Sequence, residues 1–182
     1  MSLKEQIINE IIEIEGGYIN DPSDSGGETN YGITKKVAKE YGYSGEMKDL
    51  AKDLAFQIYS DKYWDSLKLD EISRISFRIT KELADTGINM GVERAANFLQ
   101  RCLNALNNNE DYYKDLLIDG IIGSRTLEAL TMFVQIRKNE GMKILLNMLN
   151  CLQGEFYISL AERRKKDEKF IYGWFKNRIT LN

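Results

Sequence analysis

There is no histidine anywhere in the chain. That absence excludes imidazole-based triads, Cys–His dyads and histidine-ligated zinc. There are only two cysteines, Cys102 and Cys151, too few for a disulfide framework. Cys102 lies on an apolar helical stripe and reads as a buried free thiol. The single proline is Pro22, and no Pro/Gly/Ser-rich linker divides the chain. No apolar run reaches the roughly 18 residues of a membrane-spanning helix. The N-terminus carries Lys4, Glu5, Glu10 and Glu13 and lacks the unbroken apolar core of a secretory signal. Neither sign of charge dominates: 25 basic and 28 acidic residues leave a net −3. No basic field therefore argues for nucleic acid. What remains is a 182-residue chain, 43% hydrophobic, long enough to bury a real core.

The most informative stretch runs from Glu15 to Thr34. Before it, Leu3, Ile7, Ile8, Ile11 and Ile12 recur at helical spacing and form one apolar face. Ser2 and Glu5 have capping-box spacing, which starts the helix, and Gly16-Gly17 end it. Glu15 lies three, four, seven and eight residues after Ile12, Ile11, Ile8 and Ile7. It therefore projects from the apolar side, unlike Glu5, Glu10 and Glu13. Partial burial and the negative helix end both penalise its anion, which is how a general acid is prepared.

Asp24 follows nine residues later in a Ser/Gly-rich loop, where a solvated carboxylate stays ionised. Asp21 competes for the same role, although Asp-Pro also simply initiates turns. Gly26-Gly27 suits a two-residue hairpin, with Thr29 and Tyr31 projecting from the small sheet beside the acid. Two carboxylates in unlike surroundings are the equipment for glycosidic bond cleavage. Counted as a calcium loop from Asp21, the segment places Ser23 and Ser25 at positions 3 and 5 and Gly32 where a bidentate glutamate belongs. No metal or other cofactor is expected.

The run E-G-G-Y-x-N-D-P-x-D-x-G-G-x-T-x-x-G-I-T resembles the signature of glycoside hydrolase family 108. These are N-acetylmuramidases of phage endolysins and of bacterial secretion activator proteins. The resemblance continues in Tyr63-Trp64, in D-T-G-I-N-M-G (Asp85 to Gly91), in D-G-I-I-G-S-R-T-L (Asp119 to Leu127) and in G-W-F-K-N-R (Gly173 to Arg178). The last two look like the peptidoglycan-binding region that follows this catalytic region. The resemblance implies Glu15 as catalytic acid, with Asp24 and Thr29 as partners in the glutamate–aspartate–threonine order of phage lysozymes. It places Asp85 and Asn89 near the cleft, and Asp21 and Tyr31, from their places in the loop and hairpin, are further candidates for binding substrate. For Asp85, a structural hydrogen bond is an equal reading, since buried polar groups need partners anyway.

After Thr34, which can cap a helix through Val37, Ala38 and Tyr41, the chain reads as helical almost throughout. Stripes recur at Leu50, Leu54 and Ile58, and at Ile75, Ile79, Leu83 and Ile88. Others are Ala95, Phe98, Leu99, Cys102, Leu103 and Leu106, and Leu145, Leu149, Leu152 and Phe156. Ser124 is a candidate N-cap, and Asn107 to Asp111 is the most loop-like stretch. Arg163 to Lys166 reads as a solvated face, and Trp174 as core. The expectation is a mainly α, lysozyme-like fold with a small β-hairpin or sheet. Residues 1–92 form the catalytic region and 93–182 the binding region, sharing one core. The activity expected is hydrolysis between N-acetylmuramic acid and N-acetylglucosamine, with retention and inversion both open. A lytic transglycosylase using Glu15 alone and a non-catalytic wall-binding or secretion-aiding protein stand as alternatives. The chain is expected in the cytoplasm when made. A holin or an export system would then release it to the cell wall.

Overall fold

The computed structural model describes residues 1–20 and 27–179. Asp21, Pro22, Asp24 and Gly26 lie outside the described residues. Within those limits the chain forms eight α-helices and one two-stranded antiparallel sheet. By contact it divides into two compact units, Met1–Asp65 and Ser66–Asn182.

The first unit opens with α1 (Leu3–Glu15). Its capping box is complete: the Ser2 hydroxyl accepts from the Glu5 amide and the Glu5 carboxylate from the Ser2 amide. Ile7, Ile8 and Ile12 are buried, each contributing roughly 1.5–3 kcal/mol. The helix ends at Gly16. Ile19 then bridges Thr29, leading into β1 (Thr29–Asn30) and β2 (Ile33–Thr34).

The tight turn between β1 and β2 is Tyr31-Gly32, while the turn expected at Gly26-Gly27 begins outside the described residues. Thr29 pairs with Thr34 and Asn30 with Ile33. That leaves two central residues, both with positive φ (52° and 71°), as a type I′ turn demands. Tyr31 therefore sits in the turn rather than on a strand. Asn30 is buried and donates to the carbonyls of Met47 (2.7 Å) and Lys48 (3.3 Å), pinning β1 to the 3₁₀ turn Met47–Asp49. Thr34 caps α2 (Lys35–Glu40) by accepting from the Val37 amide.

The unit closes with α3 (Lys52–Tyr59) running into a π-helical turn, Ser60–Asp65. In a π turn, residues five apart share a face. Tyr59 and Trp64 are five apart, and both are buried.

The second unit contains α4 (Leu69–Ser73), α5 (Phe77–Met90), α6 (Val92–Ala105), α7 (Ser124–Arg163) and α8 (Glu168–Arg178). Ile79 and Leu83 of α5, Leu99 and Leu103 of α6, and Leu145 and Leu149 of α7 form its core. Gly87 is buried on α5 where a Cβ would lie 2.7 Å from Leu67, so a larger residue would push that leucine out. α7 is broken at Lys138, whose φ is +52°. Gly123, not Ser124, occupies its N-cap, and no side chain caps it. Cys102 is buried as expected, and burial raises its thiol to about 12. Arg163 to Lys166 are exposed.

Trp174 departs from its expected place in the core. It is half-buried, stacked between Tyr157 (4.8 Å) and the exposed Phe170 (5.9 Å), on a helix with no fully buried residue. α8 is a covering helix, so its aromatics pack on one side only.

Candidate active site

Glu15 is the last residue of α1 and is half-buried, whereas Glu5, Glu10 and Glu13 are exposed. The helical spacing alone sets this difference. Opposite it stands the tip of the hairpin. A Cβ on Gly32 would lie 3.0 Å from both Glu15 Cγ and Oε2, and 2.7 Å from the Tyr59 hydroxyl. The carboxylate and the phenol thus both reach the space left by the missing side chain. The Tyr59 hydroxyl donates to the Tyr31 carbonyl at 3.0 Å and so ties α3 to the hairpin turn. Tyr63 lies beside Tyr59, ring centroids 5.6 Å apart.

Burial raises both phenols above their ordinary value, and the Glu15 carboxylate adds to the rise in each. They stay protonated and can serve only as neutral hydrogen-bonding groups near Glu15. The positive-φ turn and the approach of Tyr59 carry no local sequence signal apart from the N-Y-G triplet. Thr29 is half-buried, hydrogen-bonded through its backbone to Ile19 at 2.9 Å in both directions.

Asp85 and Asn89 belong to the second unit. Asp85 accepts from Gln153 Nε2 at 2.7 Å and from Asn89 Nδ2 at 3.1 Å. Asn89 accepts from Arg178, which also donates to the Tyr157 hydroxyl at 3.1 Å. Asp85 is thus held by structural hydrogen bonds and also lines a cleft of about 390 Å³ together with Glu82, Lys81, Asn150 and Arg178. Burial, then the neighbouring Asp85, raises Glu82 to about 7. Asp85 is raised too, by burial, with Gln153 and Arg178 opposing. Glu82 was not singled out from the sequence. Its signal is an acid three residues before Asp85 on one helix, so both face the same way.

The segment that carries Glu15 and the hairpin falls within residues 8–91, which match the family described as Glycosyl hydrolase 108. That match defines the chain as a glycoside hydrolase. Residues 94–179 match the family described as Predicted Peptidoglycan domain. The chain belongs to glycosyl hydrolase family 108 in a form with a C-terminal peptidoglycan region, and it is a peptidoglycan hydrolase of the N-acetylmuramidase type. Among solved structures, "Structure of Brucella abortus SagA" is similar, with a TM-score of 0.68 and 24% identity. The match covers 95% of this chain and 87% of that one, and at this identity it speaks for the fold. No curated protein matches the chain.

Proposed function

We propose that Glu15 is the general acid of this muramidase, protonating the oxygen that leaves when the bond after N-acetylmuramic acid breaks. The observation that carries the reading is the packing of the Glu15 carboxylate against the bare Cα of Gly32 at the tip of the hairpin. A carboxyl group half-shielded by a glycine turn and two neutral phenols is fixed in place yet open to a sugar. The second carboxylate comes from Asp24, with Asp21 as its competitor. Its role is to activate water or to stabilise the oxocarbenium-like centre. Thr29 and Tyr31, on the hairpin, contact the substrate. In the second unit Asp85 faces a cleft, and Asn89 positions both Asp85 and Arg178. The place of action is the cell wall, reached from the cytoplasm through a holin or an export system.

Glu15→Gln keeps the side chain's shape and removes the transferable proton. Lysis of purified peptidoglycan should fall by at least the ~10²–10⁴-fold of general acid catalysis, with the melting temperature retained. Wild-type turnover by the folded variant would sink the assignment. In the same assay Asp24→Asn should cost more than Asp21→Asn, and the opposite ranking moves the role to Asp21. Mass analysis should show reducing-end products; anhydro sugars would instead establish a lytic transglycosylase.

A further inference from the structure

The cleft that Asp85 lines does not end there. A second space of about 380 Å³ adjoins it, and the two share Arg78 and Leu146. Each is within the range of ligand-binding pockets. Together they make an elongated groove between α5 and the second half of α7, closed at one end by the C-terminal turn of α8. Lys143, Arg78, Lys81 and Arg178 line it, four cations on a chain whose net charge is −3. Glu82 and Asp85 lie at the Arg178 end. One oxygen of Glu82, Oε1, is buried and has no hydrogen-bond partner among the described residues, while Asn150 bonds the side chain. A buried acceptor left open beside a cleft calls for a donor from a ligand.

We infer that this groove binds the peptide stem of peptidoglycan, with Arg78, Lys81 and Lys143 taking its carboxylates and Glu82 with Asp85 taking an amino group. The inference rests on the wall being the substrate. A stem peptide is short and extended, and it carries free carboxylates along its length together with an amino group. The groove has that same arrangement of charge: cations along it and acids at one end. A polyphosphate of the wall would meet the same cations, but it has no amino group for the Glu82 and Asp85 end to take. A bare glycan strand carries lactyl carboxylates but no free amino group for the acids, and among the described residues the only aromatic lining either space is Phe77.

The test uses the intact chain and free stem peptide released by an amidase. The peptide has no glycosidic bond, so its binding is independent of whether Glu15 is the acid. Calorimetric titration should show binding that weakens with salt, and Arg78→Ala/Lys81→Ala should weaken it at least tenfold. Both residues are exposed, so the double variant should keep its melting temperature. Lys143→Glu, a surface charge reversal, should weaken binding in the same sense. A stem peptide with its amino group acetylated should bind less well to the wild type. The inference fails if the free stem does not bind, or if the variants bind it as well as the wild type. It also fails if poly(glycerol phosphate) binds more tightly than the stem and displaces it.

Discussion

A carboxyl group that keeps its proton near neutrality is a stability element as well as a chemical one. Glu82 titrates at about 7 in the folded chain against a model-compound value of 4.5. Between those values the folded protein holds a proton that the unfolded chain has released. Its contribution is therefore present below about pH 4.5 and is lost as pH rises through about 7, on the order of 3 kcal/mol. Asp85, also raised, acts in the same direction. Glu82→Gln removes the charge and keeps an acceptor for Asn150. The variant should melt close to wild type at pH 4.5 and several degrees higher at pH 8. An equal shift at both pH values would show that Glu82 does not titrate in this window.

At the scale of the element, the hairpin carries the demand. Gly32 has to satisfy two constraints at once, a φ of +71° and the approach of Glu15 and Tyr59. Gly27 also has a φ of +71°, but nothing lies within 4 Å of its missing Cβ. The pair separates backbone strain from crowding. Gly27→Ala should cost only the roughly 1–2 kcal/mol of a left-handed alanine. Gly32→Ala should cost that and also displace the Glu15 carboxylate, so wall lysis should fall at least tenfold at temperatures where the variant is folded. Equal lysis by the two variants would mean that the turn does not position Glu15. The π turn after α3 serves the same site, since it buries Tyr59 and Trp64 while leaving Tyr63 half-exposed beside Tyr59.

For the molecule as a whole, the family match and the packing divide the chain at different places. The glycosyl hydrolase region ends at residue 91, after α5, whereas the compact units divide after Asp65. α5 therefore belongs by sequence to the catalytic region and by contact to the unit that also holds α6 and α7. We propose that residues 1–92 do not form a folding unit. A fragment ending there keeps α5 and discards the helices that cover Ile79, Leu83 and Met90, all buried in the intact chain. Uncovering such side chains costs roughly 1.5–3 kcal/mol each, against a total stability of about 5–15 kcal/mol. The fragment should show no cooperative thermal transition and no wall lysis. A soluble, cooperatively melting and active 1–92 fragment would overturn this proposal.

Much of the fold was legible in local pattern. The Ser2–Glu5 box, the Thr34 cap, the apolar stripes and the inward turn of Glu15 all follow from spacing along one helix, which needs no partner to be read. The motif from Glu15 to Thr34 likewise located the catalytic region. Other features were settled only by parts of the chain far apart in sequence. Tyr31-Gly32 became the tight turn because Asn30 is held by the Met47 and Lys48 carbonyls and Tyr31 by the Tyr59 hydroxyl. Trp174 stayed half-exposed because α8 only covers its unit, which an aromatic-rich helix does not announce. Glu82 kept its proton because burial and Asp85 act on it together, with Asn150 brought in by α7. Periodicity says which face of a helix is buried. It does not say what that face meets, and the meeting sets the turn, the tilt of a side chain and the charge of an acid.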